Sequence, residues 1–191
     1  MKRIALFGSL CLLAPTALLA QETGPGMSYS AFDISYLVDV ELDGGADGDG
    51  FEIGGSYEIA DKFYVFGEWQ DQSLDAGIDG EQLEFGGGFH TPLSNTVDFV
   101  ATLSYINAEF DGNNFSVEDD GLALGGGVRA RLSDSFELNG AVRFVDFDES
   151  GNDTGFTVGG RWYFADNMAI TAHADFFDEV DVLGVGFRAE F

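Results

Sequence analysis

Two histidines, His90 and His173, are the side chains of this sequence best suited to acid–base catalysis. Asp175 follows His173 by two residues, which places both on one face of a β-strand, where the carboxylate could orient the imidazole. No serine on that face is placed to complete a nucleophilic triad. We therefore predict no catalytic residues and no enzymatic activity, with both histidines structural or lining a pore.

Carboxylates dominate the charge of the chain. The sequence has 34 Asp and Glu residues but only 8 Lys and Arg residues, which gives a formal net charge of −26 at pH 7. Nucleic acid is excluded as a partner, since phosphate binding requires a basic surface. Many of the acids lie in segments without Lys or Arg, and hard cations take oxygen ligands. A candidate divalent-cation rim that would loosely bind Ca²⁺ or Mg²⁺ comprises Asp43, Asp47, Asp49, Asp119 and Asp120.

The string DGGADGDG at 43–50 does not match an EF-hand loop, because its twelfth position is Gly54 instead of a glutamate. We therefore predict no cofactor and no defined metal site, only loosely held cations. The alternative is that the rim acids provide solubility and mutual repulsion in a salty or divalent-rich habitat.

A second charged set alternates with apolar residues and mixes arginine with acids. The planar fork of arginine binds carboxylates bidentately, which suits a closed interior better than a solvated face. The predicted lumen-lining residues are Arg129, Arg131, Arg143, Arg161, Arg188, Glu52, Glu58, Glu68, Glu84, Asp98, Glu137, Asp175 and Glu190. Counting across turns and closing the last strand on the first predicts three inward pairs, namely Arg131–Glu137, His90–Asp98 and Arg188–Asp33.

The elements that position these residues have period two. In VLGVGFRAEF (182–191), Leu183 and Phe187 share one face, whereas Gly184 and Arg188 share the other. GFEIGGSYEI, QLEFGGGFHT, GLALGGGVRA and GFTVGGRWYF follow nearly the same template. The pattern predicts ten strands of about ten residues, joined alternately by short turns and longer acidic loops. Eight strands is the alternative, because the pattern at 97–108 is imperfect.

The two faces of these strands favour a membrane barrel over a soluble sandwich. The apolar face carries almost no charge, as lipid contact requires, and the arginines lie on the other face. A sandwich would instead expose its charged face with scattered lysines, yet Lys62 is the only lysine after residue 20. We predict an all-β fold, a single closed antiparallel up-and-down transmembrane β-barrel.

Residues 1–20, MKRIALFGSLCLLAPTALLA, have the features of a secretory signal peptide. Lys2 and Arg3 form its positive region, an apolar run follows, and cleavage is predicted before Gln21. We divide the rest into a short leader at 21–27 and the barrel at 28–191. The only cysteine, Cys11, lies in the apolar run, so the predicted mature chain has no disulfide and no thiol chemistry.

The signal peptide, the repeated hairpin motif and the terminal strand FRAEF resemble the small bacterial outer-membrane β-barrel superfamily, the opacity-protein and porin-like barrels. The resemblance implies the outer membrane of a Gram-negative bacterium, with membrane lipid and lipopolysaccharide as partners. It also implies that the assembly machinery reads Phe191. In the outer membrane, cations bound at the acidic rim would link its carboxylates to lipopolysaccharide phosphates.

Two functions are consistent with this fold, because the fold does not fix function. The first is a non-enzymatic surface protein with an acidic extracellular rim and a charged interior of Arg, Glu and Asp. The alternative is a narrow, passive, porin-like channel that prefers cations. Ten strands leave room for only a narrow lumen, and the sequence leaves the oligomeric state open.

Overall fold

The computed structural model describes residues 27–42, 46–75, 77–178 and 180–191. The predicted signal peptide, all but the last residue of the predicted leader, and the candidate ligand Asp43 lie outside the described residues.

Ten antiparallel strands form one closed barrel in sequence order, in which β10 pairs with β1. The strands are β1 (Ala31–Leu42), β2 (Ala46–Ala60), β3 (Phe63–Leu74), β4 (Ile78–Ser94), β5 (Val97–Gly112), β6 (Phe115–Ser133), β7 (Phe136–Phe147), β8 (Gly151–Ala165), β9 (Met168–Phe176) and β10 (Val180–Glu190). The predicted all-β closed barrel and the count of ten are confirmed, and the alternative of eight strands is wrong. Within the described ranges, no helix has the length and apolarity to cross a membrane.

The two ends of the barrel differ in their connections. At one end, which we call the turn end, two-residue turns lie at 61–62, 95–96, 134–135 and 166–167. Ala31 pairs with Glu190 at the same end, so both termini of the barrel lie there. The connections at 113–114 and 148–150 lie at the other end, which we call the loop end, where Leu42 also pairs with Ala46 and Leu74 with Ile78.

The strands extend further at the loop end than the sequence pattern predicts. The pattern predicts longer acidic loops at 71–80 and 111–120. Most of these residues are strand instead, because β4 has 17 residues and β6 has 19. Both faces of these extensions are largely polar, which hides the period-two signal. Backbone hydrogen bonding between the strands continues, because each strand still has a neighbour that pairs its N–H and C=O groups.

The outward face of the barrel is apolar. On β1, Phe32 is 48% exposed, and on β10 Leu183 is 46% exposed. Outward leucines, valines and phenylalanines continue this surface around all ten strands. Such a band suits contact with hydrocarbon, where a soluble protein would place polar side chains.

A β-bulge in β1 changes which residues face inward. The sequence pattern predicts Val38 and Val40 on the outward face and leaves Leu37 as the exception. The pairing of β1 with β2 shifts register between Leu37 and Val40, and both side chains are fully buried inside. The extra residue of the bulge turns Val38 and Asp39 outward in succession.

Apolar side chains fill the barrel near both ends, which the predicted division into an apolar outside and a charged inside did not include. The loop-end cluster comprises Leu37, Val40, Leu74, Ile106, Ala108, Ala123, Val145, Phe147, Phe177, Val180 and Val182. The turn-end cluster comprises Met27, Tyr29, Tyr64, Phe66 and Val100. Val100 and Ile106 therefore account for the imperfect pattern at 97–108, since both are apolar residues that face inward.

Candidate functional site in the barrel interior

Glu137 is the centre of a buried charge network near the turn end. Its carboxylate accepts hydrogen bonds from Arg129 Nε, from Arg161 Nη1 at 2.6 Å and from Arg131 Nη2 at 3.3 Å. Glu137 and Arg129 are fully buried. Alternation along β6, β7 and β8 directs these side chains into the lumen from adjacent strands.

Arg188 joins a second network to the first. Its guanidinium donates to Asp33 at 2.8 Å and to Glu190 at 3.0 Å. Tyr163 donates to Glu190 at 2.8 Å and accepts from Arg129 Nη2 at 3.2 Å. The arginines of this layer therefore share acids from several strands, and we call the combined set the arginine layer.

The structure tests the three predicted inward pairs. Two are confirmed, because Arg131 lies opposite Glu137 and Arg188 lies opposite Asp33. His90 lies opposite Val100 instead of Asp98, although its Nδ1 still approaches Asp98 Oδ2 to 4.0 Å. The shift arises at the turn, where Pro92 pairs with Asp98.

A carboxylate layer lies between the arginine layer and the loop-end cluster. It comprises Glu52, Glu68, Glu84 and Asp175, together with Arg143 and His173. Arg143 Nη2 reaches Glu84 Oε2 at 2.6 Å across the lumen, and Thr157 donates to Asp175 at 2.5 Å. Four acids and one arginine give this layer an excess of negative charge when the acids are ionised.

Several buried polar groups at this level lack a protein hydrogen-bond partner within the described residues. They include both carboxylate oxygens of Glu52, both amide atoms of Gln70 and both ring nitrogens of His173. Buried polar groups in folded proteins bind internal water when no side chain satisfies them. We therefore expect the carboxylate layer to be hydrated.

Of the other predicted lumen-lining residues, Asp98 is buried near the turn end, and Glu58 is half-buried there. All thirteen predicted residues thus lie on the inward face of their strands. Eleven of them separate into the arginine layer and the carboxylate layer instead of forming one mixed belt, and Asp98 and Glu58 lie near the turn end. The sequence predicts which residues face inward, but it does not predict the level along the barrel axis at which each residue lies.

The two histidines lie at different levels and are both buried. His173 Nε2 is 3.7 Å from Asp175 Oδ2 and 3.9 Å from Glu52 Oε2. His90 stacks on Tyr29, with ring centroids 3.5 Å apart. Each imidazole is enclosed by side chains, and neither is presented at a surface where a substrate could bind.

The family of the chain follows from its sequence. A model of the outer membrane protein beta-barrel domain matches residues 4–164. The chain belongs to this family. Membership assigns this outer-membrane β-barrel to the outer membrane of a Gram-negative bacterium. No curated protein sequence matched the chain.

Three solved structures are similar to this outer-membrane β-barrel. The β domain of the Bordetella autotransporter BrkA has a TM-score of 0.51 and 12% identity, covering 85% of this chain and 99% of that one. A KdgM porin has a TM-score of 0.48 and 10% identity, with coverage of 84% and 99%. OprG from Pseudomonas aeruginosa has a TM-score of 0.46 and 16% identity, with coverage of 88% and 100%. Of these three, the autotransporter β domain alone has a TM-score above 0.5, and at 12% identity its likeness supports the fold alone.

The candidate rim ligands are not brought together in this outer-membrane β-barrel. Asp47 and Asp49 lie on β2, whereas Asp119 and Asp120 lie on β6. Three of them are already occupied as hydrogen-bond acceptors: Asp49 from Tyr36 at 2.8 Å, Asp119 from the Ser150 backbone at 2.8 Å, and Asp120 from Asn107 at 2.9 Å. Among the described residues, no group of three or more acids or histidines is arranged to hold a metal ion.

A different set of acids lies in register on the outward face near the loop end. Asp71, Glu81, Glu109 and Glu118 lie directly opposite one another on β3, β4, β5 and β6. We call this row the carboxylate ladder. Like charges directly opposite on neighbouring strands are destabilising. Sequence reasoning missed the ladder because it placed Asp71, Glu81 and Glu118 in loops, where register has no meaning.

Three hairpins repeat the same contact just below the ladder. An outward aromatic side chain donates to a carboxylate on the next strand in the pairs Tyr36–Asp49, Trp69–Glu81 and Tyr105–Asp120. In each hairpin an apolar residue lies directly opposite the aromatic ring, namely Phe51, Leu83 or Leu122. The acceptor is the residue two positions before it in the sequence. Aromatic rings with a polar tip mark the boundary of the lipid band, so this row marks that boundary at the loop end.

Proposed function

We propose that this chain is a non-enzymatic outer-membrane surface barrel with a closed interior and an acidic extracellular rim. The observation that carries the proposal is the loop-end cluster, in which eleven buried apolar residues pack against one another across the lumen. An open channel would line this level with polar groups and water. Phe147 and Phe177, each less than 9% exposed, fill the space where an ion would enter.

The charged layers below support the same proposal. Glu84 of β4 and Arg143 of β7, which are three strands apart in the barrel, form an ion pair at 2.6 Å. Arg188 is likewise held between Asp33 and Glu190. An ion crossing the barrel would have to displace such pairs, and breaking a buried ion pair is costly because it leaves an uncompensated buried charge.

A second candidate function is a narrow cation-preferring channel, favoured by the excess of acids in the carboxylate layer. Glu52, Glu68, Glu84 and Asp175 would attract cations and repel anions if the apolar clusters opened. The two candidates therefore differ in whether the loop-end cluster opens.

Conductance of the purified protein in a planar bilayer separates them. We expect a silent bilayer for the wild type, with a large porin measured in the same membrane as the positive control. Steady cation-selective steps from the wild type would refute the closed barrel and support the channel. Replacement of both Phe147 and Phe177 by alanine tests whether the loop-end cluster is the barrier.

We propose further that the carboxylate ladder gathers Mg²⁺ or Ca²⁺ as diffuse counterions between the rim and lipopolysaccharide phosphates. The four acids are adjacent, exposed and of one sign, and cations would relieve their mutual repulsion. We expect Mg²⁺ to raise the urea midpoint of unfolding in lipopolysaccharide-containing bilayers, and to do so less in a variant with Glu81→Gln and Glu109→Gln. Equal shifts in the two proteins would contradict this proposal.

Phe191 is the proposed signal for the assembly machinery. The side chain is 73% exposed on the outward side, and its closest ring partner, Tyr57, is 6.5 Å away between centroids. Because so little of the fold rests on this side chain, Phe191→Ala should leave the stability of the refolded barrel nearly unchanged while lowering its amount in the outer membrane of cells. A parallel loss of both would refute a signalling role.

A further inference from the structure

Residues 27–30 enter the barrel at the turn end before β1 begins. This segment is not a strand, yet Tyr29 is fully buried and Met27 is 9% exposed. Both side chains belong to the turn-end cluster. The segment therefore contributes to the interior and not to the wall.

The side chain of Tyr29 lies in a site built by three consecutive strands. Its ring stacks on His90 of β4 at 3.5 Å and on Tyr64 of β3 at 4.9 Å between centroids. Its hydroxyl donates to Asp98 of β5 at 3.2 Å. Two stacking rings and one carboxylate acceptor are the features that recognise a phenol.

Backbone contacts hold the same segment from several directions. The Ser28 carbonyl accepts from Arg129 at 3.4 Å and from Arg188 at 3.5 Å. Ser30 Oγ accepts from the Glu58 amide at 3.1 Å, and the Ser30 carbonyl accepts from the Phe191 amide at 3.1 Å. The segment thus contacts the arginine layer, β2 and the residue that follows β10.

We propose that the turn-end mouth contains a binding site for a phenol ring, formed by Tyr64, His90 and Asp98, and that the chain fills it with its own Tyr29 as a tethered plug. The arginines of the arginine layer come from β6, β8 and β10. On the side of β3, β4 and β5 the plug separates the carboxylate layer from the solvent at the turn end. A free phenol of the same shape occupies the site when the tyrosine side chain is removed.

A cysteine at position 70 reports on access to the carboxylate layer. Gln70 is 1% exposed and lies opposite Glu52 and Gln82 on the neighbouring strands. In a full-length Cys11→Ser background, Gln70→Cys provides the only thiol, since the sequence has one cysteine. The probe is a small cationic methanethiosulfonate reagent added to the folded barrel, and folding is verified by heat-modifiable gel mobility.

We expect Tyr29→Ala to speed labelling at least about tenfold, because ring stacking and the hydrogen bond are lost together. Tyr29→Phe is the matched control, because it keeps the ring and removes only the hydroxyl, so labelling should stay slow. His90→Ala removes the stacking partner from the wall instead and should also speed labelling. Millimolar p-cresol should restore slow labelling in Tyr29→Ala and leave Tyr29→Phe unchanged.

Slow labelling of folded Tyr29→Ala, or rapid labelling of the protein with Tyr29 intact, would overturn the plug. Rapid labelling of Tyr29→Ala that p-cresol does not slow would overturn the phenol site. None of these results bears on the closed barrel proposed above, because the loop-end cluster closes the other mouth independently. A failed plug and a failed surface-barrel function are therefore distinguishable.

Discussion

Replacing Glu137 by glutamine removes one negative charge from the centre of the arginine layer while preserving the shape of the side chain. Glu137 is fully buried and contacts Arg129, Arg131 and Arg161. Arg129 and Arg161 are themselves almost fully buried, so neither can move its charge into water when the carboxylate is lost. The variant therefore tests whether the interior is held together by charge balance.

The expected cost is that of breaking a buried ion pair, about 3–5 kcal/mol. The glutamine carbonyl still accepts one hydrogen bond, and Arg129 also approaches Glu190 at 3.6 Å, so we expect the lower part of that range. A loss of about 3 kcal/mol changes the unfolding equilibrium constant by roughly a hundredfold. The expected loss of stability comes from removing the charge, since glutamine occupies the same packing volume as glutamate.

Reversible urea unfolding in lipid vesicles, followed by tryptophan fluorescence, measures this loss. Glu149→Gln is the matched control, because its side chain is exposed near the loop end and should change stability by less than about 0.5 kcal/mol. Adding Arg161→Met to Glu137→Gln should cost less than the sum of the single changes, since one uncompensated charge is then absent. A Glu137→Gln protein within about 1 kcal/mol of the wild type would refute the reasoning.

Two further predictions concern packing and the lipid boundary. A Cβ added at Gly184 would overlap the imidazole of His173, so Gly184→Ala should cost about 1–3 kcal/mol of unfolding free energy. Gly126→Ala is the control and should be neutral, because nothing lies within 4 Å of the added carbon. Similar urea midpoints for these two variants would contradict the close approach. Trp69 donates to Glu81 at 2.8 Å, so Glu81→Ala should cost about 1 kcal/mol of unfolding free energy. Glu81→Gln keeps an acceptor and removes a repelling charge, so it should be neutral or stabilising. Equal destabilisation by both changes at this position would refute the hydrogen bond as the cause.

The barrel was predictable from the sequence because lipid exposure imposes a local rule. Every second residue of a membrane strand must be apolar, so residues such as Phe32 and Leu183 reveal their face without reference to any neighbour. The pairs Arg131–Glu137 and Arg188–Asp33 were predictable for a related reason, since short turns and closure of ten strands fix the register near the turn end.

The same rule fails where lipid contact ends. Acids such as Asp71 and Glu118 appeared as loop residues because both faces of the strand are polar there, yet backbone pairing continues through them. The bulge in β1 likewise leaves no composition signal, and it reverses the face of Val40. These errors concern the extent and local register of strands whose existence the sequence predicts.

The sequence by itself determined the class of fold, the strand count, the apolar outside and the inward parity of the charged residues, because alternation along one strand is a local property. Only the tertiary structure decided that the inward residues separate into an arginine layer, a carboxylate layer and two apolar clusters. That order depends on how ten strands are staggered, which relates residues as distant in sequence as Tyr29 and Asp98. The stagger is set by the pairing of all the strands together, so no single stretch of the sequence contains it.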